Sequence, residues 1–234
     1  MKQYGLIGRR LDHSLSKRLF EERFEGECYE LHEIESLEGL REWAMEMGGF
    51  NVTLPYKEAV LPLMDALTEE AEKIGAVNVV EVREGRLVGH NTDAFAFAES
   101  VQPLLRPWHK EALILGTGGA AKAVAYGLKE LGIESRMVSR SGATYLSYSE
   151  AASLAKDIYL IVNATPVGMV PLEAQTPWRE TRMLSPRHLC YDLIYNPDET
   201  RFLLEAELSG ATTCNGLKML QLQAEKSWRI WGLE

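Results

Sequence analysis

A chain of 234 residues has room for one large α/β domain or two smaller ones, since single cores usually run to roughly 100–150 residues. Its 46% hydrophobic and 25% charged content excludes the disordered and fibrous classes, and a net charge of −9 argues against nucleic acid or anionic membrane as partner, both of which reward a basic face. Cys28, Cys190 and Cys214 lack the spacing of a metal site or disulfide framework, and no stretch approaches the ~18 apolar residues of a membrane span, so we expect a cytosolic protein without a metal.

Strand-like and helix-like patterns alternate along the first hundred residues. Tyr4–Ile7 reads as extended, Ser16–Phe24 as helical, Cys28–His32 as extended, Leu37–Met47 as helical and Gly49–Val52 as extended, an order that implies parallel strands joined by crossover helices. Val77–Arg83 and Leu87–Gly89 flank a Glu84-Gly85 turn as a hairpin, and a helix follows from Asp93 or Ala94 toward Leu104. Pro103 and Pro107 then mark a break near residues 100–110. Beyond it come strand Ala112–Leu115, helix Ala120–Leu131, strand Glu134–Val138, helix Ser149–Ala155 and strands Ile158–Val162 and Leu189–Leu193. Leu217, Leu220, Ala224, Trp228 and Trp231 make one apolar face of a final helix, expected to pack back on the first lobe. The expected fold is α/β with two lobes. Residues 1–105 form a mainly parallel substrate domain joined by the helix of 216–234, and residues 106–215 form a Rossmann-like domain.

Gly116-Thr117-Gly118-Gly119-Ala120-Ala121 directly follows a strand and opens a helix. Gly116 permits the tight turn, Gly118 with Gly119 and Ala120 lets backbone N–H groups approach a pyrophosphate, and Ala121 allows close helix–strand packing. The plain alternative is a tight βα turn without a ligand. The next strand ends in Ser139-Arg140-Ser141, where an NAD site would carry an acid for the ribose hydroxyls. Arg140 can pair with a 2′-phosphate and the two serines can donate to it, which points to NADP; the alternative is a solvent-facing loop arginine.

Several motifs occur in order: His13-Ser14-Leu15-Ser16, Asn51-Val52-Thr53-Leu54-Pro55-Tyr56-Lys57, Gly75-Ala76-Val77-Asn78 and Asn91-Thr92-Asp93 before the glycine turn. After it come Asn163-Ala164-Thr165-Pro166-Val167-Gly168-Met169, Asp192-Leu193-Ile194-Tyr195-Asn196-Pro197 and the run from Asn215 to Ala224 that holds Gln223. Together they resemble the shikimate dehydrogenase family over nearly the whole chain. The resemblance implies reversible NADPH-dependent reduction of 3-dehydroshikimate to shikimate, a step of aromatic amino-acid (chorismate) biosynthesis, in a cleft between two lobes that closes to exclude water.

It further implies that Ser14 and Ser16 bind the substrate carboxylate, that Thr53, Asn78, Asp93 and Gln223 bind ring hydroxyls, and that Asn163 and Tyr195 lie at the cofactor. Lys57 and Asp93 are the pair expected to carry proton transfer, because an ammonium can stabilise and protonate the oxygen on which charge builds. Structural alternatives stand beside these roles: either serine as a helix N-cap, Lys57 as a surface lysine, Asp93 as a cap of the following helix, and Tyr195 or His13 as a packed ring.

Lys17, Phe20 and Glu21 depart from the family pattern after Ser16, Ala94 and Ala96 replace its glycines after Asp93, and Thr144 stands where a second basic residue is common. A quinate/shikimate dehydrogenase with relaxed cofactor use and a non-catalytic NADP-binding regulator are the rival readings. The oligomeric expectation is a monomer or homodimer.

Overall fold

Gln3–Gly8 (β1), Cys28–Glu33 (β2) and Met47–Val52 (β3) lie side by side as parallel strands, with β1 in the middle. Every residue of β3 is buried, as expected of a strand covered on both faces. The computed structural model describes residues 3–12, 14–141 and 144–233. They form two compact units, Met1–Asp93 with Gln221–Glu234, and Ala94–Leu220.

The first unit also holds Ser16–Arg23 (α1), Leu40–Ala44 (α2), Ala66–Leu67 (β4), Glu69–Ile74 (α3), Val79–Arg83 (β5) and Arg86–His90 (β6). Its sheet order is β2-β1-β3-β5-β6-β4, with β5 antiparallel to both neighbours. Glu84 and Gly85 both take positive φ, 53° and 72°, as a two-residue hairpin turn between twisted strands requires. The helix expected over 37–47 shortens to α2: Gly39 enters it in the left-handed conformation, and Met47 already pairs with Gln3 in the sheet. Thr68 caps α3 by accepting the Ala71 N–H, and Gly75 closes that helix at φ 70°.

Helix Asp93–Val101 (α4) leads into the second unit, followed by Glu111–Leu115 (β7), Gly119–Glu130 (α5), Glu134–Val138 (β8), Tyr148–Leu154 (α6), Leu160–Asn163 (β9), Leu189–Asp192 (β10), Arg201–Leu208 (α7), Thr212–Cys214 (β11) and Leu217–Ile230 (α8). The five strands are all parallel in the order β8-β7-β9-β10-β11. Strands β8 and β9 flank β7, so the winding reverses there, and a ligand crevice is expected at the carboxyl ends of β7 and β9.

The passage between units falls at Asp93/Ala94, ahead of the 105/106 boundary suggested by the prolines. Helix α4 continues through that point, and its later residues serve the second core: Phe97 meets the Tyr191 ring edge-on at 5.1 Å, and Ser100 Oγ lies 2.8 Å from Tyr191 Oη. Gly127 on α5 allows the approach of α4, since a Cβ there would stand 2.7 Å from the Ala94 carbonyl oxygen. Ala94 and Ala96, departures from the family glycines, are both buried, and Ala94 lies at this packing surface. In the first unit, the C-terminal part of α8 and the residues after it complete an aromatic cluster of Tyr4, Phe20, Phe24, Tyr29, Trp228 and Trp231. The Trp231 indole lies against Gly49 and donates to the Val80 carbonyl at 3.1 Å.

Candidate active site

In the first unit, Lys57 follows the end of β3 and Asp93 opens α4. Lys57 Nζ donates to Asp93 Oδ2 at 2.6 Å, with the two side chains only 14% and 6% exposed. A charged pair this buried stands only because further hydrogen bonds satisfy it. Asn78 Nδ2 donates to Asp93 Oδ1 and Thr92 Oγ1, both at 2.9 Å, while Asn78 Oδ1 accepts the Thr92 N–H at 2.7 Å. At the start of α4, Asn91 Oδ1 accepts the Asp93 N–H at 3.1 Å. Lys57 is no surface lysine.

Asn78 is therefore first a bracket for Asp93. Its amide hydrogens are both committed, and Oδ1, which already accepts the Thr92 N–H, keeps one further acceptor position. A second buried network lies behind it. Tyr29 Oη donates to Asn51 Oδ1 at 2.8 Å, Asn51 Nδ2 donates to the Asn78 carbonyl and to Ser227 Oγ, and Ser227 Oγ donates to the Gln223 carbonyl at 2.7 Å. One asparagine thus ties the segments carrying Thr53, Asn78 and Gln223. Asn51, Asn91 and Thr92 stand inside the sequence motifs without being singled out by them, and nothing in the local pattern marks Ser227.

Ser14 and Ser16 sit half-buried at the start of α1. Leu15 occupies the N-cap and no side-chain cap closes the helix, although Ser14 Oγ accepts the Ser16 N–H at 3.3 Å. Lys17 pairs with Glu30 at 2.9 Å and Glu21 at 3.7 Å, and Phe20 enters the aromatic cluster. These departures from the family pattern serve packing and surface charge. Thr53 is half-buried, its N–H bonded to the Ile7 carbonyl, and Gln223 is half-buried on α8. His13 lies outside the described residues.

In the second unit, Gly116 ends β7 at φ 113°, and a Cβ there would stand 3.0 Å from the Ala164 carbonyl oxygen. Both facts require glycine. Gly118 is different: at φ −80° any residue is permitted, and a Cβ would meet nothing within 4 Å. Neither backbone conformation nor packing requires glycine there, and a bare backbone at this point would let a ligand approach closely. Gly118 caps the twelve-residue α5 with no side chain to receive the first N–H groups, and the first turn, with Gly119 and Ala120, carries no acid. That end offers donors and a positive dipole end to a pyrophosphate. Gly118→Ala should thus leave the melting temperature within about 2 °C yet weaken NADP+ binding about tenfold or more in a titration. Parent-like affinity would remove the cradle.

Arg140 is exposed just beyond β8, between Ser139 and Ser141, whose hydroxyls lie 3.0 Å apart. Tyr148 is near: burial raises its phenol above the ordinary range, and the positive charge of Arg140 opposes that rise. Tyr195 is half-buried beyond β10. Asn163, expected at the cofactor, turns its side chain inward. Its Nδ2 donates to Val167 O and Asp192 Oδ1, and its Oδ1 accepts the Thr165 N–H and hydroxyl, so the amide is spent on the chain. Asp192 is fully buried and also accepts from Ile194 N–H and Thr200 Oγ. Desolvation raises its carboxyl to about 6 against those three donors. Among the described residues no group of three or more His, Cys, Asp or Glu could hold a metal ion, and no helix is long and apolar enough to cross a membrane.

A parallel sheet with a glycine turn at its switch point, in a chain that also carries a buried lysine–aspartate pair, defines a dinucleotide-binding α/β protein of the dehydrogenase class. Residues 6–80 match the model of the shikimate dehydrogenase substrate binding domain. A shikimate dehydrogenase (NADP(+)) from Caldanaerobacter subterraneus subsp. tengcongensis is 36% identical over 98% of this chain and 91% of its own length. Among solved structures, shikimate dehydrogenase 1 from Peptoclostridium difficile aligns with a TM-score of 0.89 at 36% identity, covering 99% of this chain and 92% of that one. Shikimate 5-dehydrogenase from Thermus thermophilus, in complex with NADP(H) and shikimate, aligns at 0.88 and 35%, covering 100% and 94%. The chain belongs to the shikimate dehydrogenase family.

Proposed function

We propose that the chain is an NADP-dependent oxidoreductase that interconverts 3-dehydroshikimate and shikimate in aromatic amino-acid (chorismate) biosynthesis. The observation that carries this reading is the buried Lys57–Asp93 pair at 2.6 Å, bracketed by Asn78, in a member of this family. NADPH, when bound, supplies the hydride that reaches the carbonyl carbon. Lys57 stabilises the negative charge growing on the carbonyl oxygen and delivers the proton that makes it a hydroxyl. Asp93 holds the ammonium in place, and in the oxidative direction the pair takes that proton back. Ser14 and Ser16 hold the substrate carboxylate, and Thr53, Asn78, Asp93 and Gln223 receive ring hydroxyls.

Residues fitted to the cofactor are the N–H groups of Gly118, Gly119 and Ala120, with Gly116 forming the turn, Ser139, Arg140 and Ser141 at the 2′-phosphate, and Tyr195. Asn163 serves by shaping the adjoining turn. The protein works in the cytosol as a monomer or homodimer, without nucleic-acid or membrane partners.

The test follows reduced nicotinamide with shikimate or quinate, each paired with NADP+ or NAD+. Fastest turnover with shikimate and NADP+ is expected. Comparable turnover with quinate and NAD+ would favour a relaxed quinate/shikimate enzyme, and none with any pair would leave a non-catalytic NADP-binding regulator. Arg140→Ala should raise KM for NADP+ about tenfold to a hundredfold, the worth of charge-assisted phosphate bonds, while KM for NAD+ stays within about twofold. Equal change for both cofactors would place the 2′-phosphate elsewhere.

A further inference from the structure

The turn that follows β9 lies directly under the glycine turn. The Ala164 N–H donates to the Leu115 carbonyl at 2.9 Å, and Ala164 and Thr165 carry the atoms that a side chain on Gly116 would strike. What bends residues 163–167 into that position is Asn163, with one bond forward to the Val167 carbonyl and two accepted from Thr165. Asn163 is anchored from behind by Asp192 Oδ1, at 2.9 Å, and the Leu193 N–H bonds the Asn163 carbonyl at 3.0 Å. The other carboxylate oxygen is gripped at 2.7 Å by Thr200, which also caps α7 by accepting the Leu203 N–H. The chain of contact thus runs from the start of α7 through β10 and β9 to the floor of the glycine turn.

We propose that Asp192 is a positioning residue for the dinucleotide: through Asn163 it holds the 163–167 turn against Gly116 and so sets the placement of the α5 N-terminus that receives the pyrophosphate. The inference rests on the glycine turn being the NADP site. Asp192 is fully buried and acts through Asn163. A burden of this kind explains why a fully buried carboxylate stands at the end of β10, where an apolar residue would satisfy packing alone.

The series Asp192→Ala and Asp192→Asn separates this role from a general one. Asparagine keeps the Oδ1 atom that accepts from both Asn163 and Ile194, whereas alanine removes it. Titration of each purified protein with NADP+ alone, without substrate, should give a Kd about tenfold weaker for Asp192→Ala and within about threefold of the parent for Asp192→Asn. The KM for shikimate at saturating NADP+ should stay within about twofold in both. Parent-like NADP+ affinity in folded Asp192→Ala overturns the proposal, as does equal weakening in both variants or an equal rise in shikimate KM. Should Asp192→Ala fail to fold, Thr200→Val decides: weakening of about threefold or more that Thr200→Ser reverses supports the role, and parent-like binding overturns it. A parent protein that binds no NADP+ would instead sink the cofactor reading, a distinct failure.

Discussion

Replacing Lys57 by alanine is expected to lower turnover with shikimate and NADP+ by about 10²–10⁴, the usual worth of a positioned general acid–base group. The ammonium donates directly to Asp93 and is largely shielded from water, so its electrostatic effect on a developing oxyanion is screened less than that of a surface lysine. Removing it leaves the buried Asp93 carboxylate leaning on Asn78 without a neutralising charge, which will lower stability. Turnover must therefore be measured beside a melting curve, well below the melting temperature. A folded Lys57→Ala protein with parent turnover would remove the lysine from the chemistry. Asp93→Asn offers the complementary reading: it should slow turnover while keeping the shape of the bracket, because the amide has one oxygen to share between Asn78 and Lys57 where the carboxylate has two.

The second large effect lies away from the chemistry. Asp192→Ala is expected to cost roughly 3–5 kcal/mol, because three donors, Ile194 N–H, Asn163 Nδ2 and Thr200 Oγ, lose their acceptor inside the core. The pH dependence has a definite sign. Desolvation raises the folded-state carboxyl from 3.8 to about 6, so the folded protein binds this proton more tightly than the unfolded chain does. Its favourable contribution is full below about 3.8, declines as pH rises, and is gone above about 6, on the order of 2–3 kcal/mol in all. Asp192→Asn removes that slope. Urea unfolding at several pH values between 4 and 7 should show the difference between Asp192→Asn and parent moving in favour of the variant as pH rises; a constant difference would mean that Asp192 is ionised across the range.

Local chemistry was the legible part of this chain. The strand, glycine turn, helix and strand of residues 111–138 follow one another without interruption, so the periodicity of each element supports the next, and the position of Arg140 follows by counting. Short elements were less legible. Helix α3 escapes a reading of periodicity although Thr68 and Gly75 mark both its ends, because six residues are too few for an apolar face to declare itself. The helix expected over 37–47 is too long because its last residues fit helical spacing, while pairing with β1 draws Met47 into the sheet. In the candidate site, motif spacing brings Lys57, Asn78 and Asp93 to notice, but no spacing says which way an amide points. Asn163 looks like a ligand contact for that reason, and the anchoring of its inward-turned amide depends on Asp192, which stands 29 residues further on.

The first unit is discontinuous in the chain: residues 1–93 need 221–234 to cover Tyr4, Phe20 and Gly49 with Trp228 and Trp231. During synthesis the second unit, a single uninterrupted stretch from 94 to 220, has all its strands available before the first has its full core. The half that is translated first must therefore mature last, holding a partly exposed aromatic surface while residues 94–220 emerge behind it, a period in which chaperone binding and aggregation compete with folding.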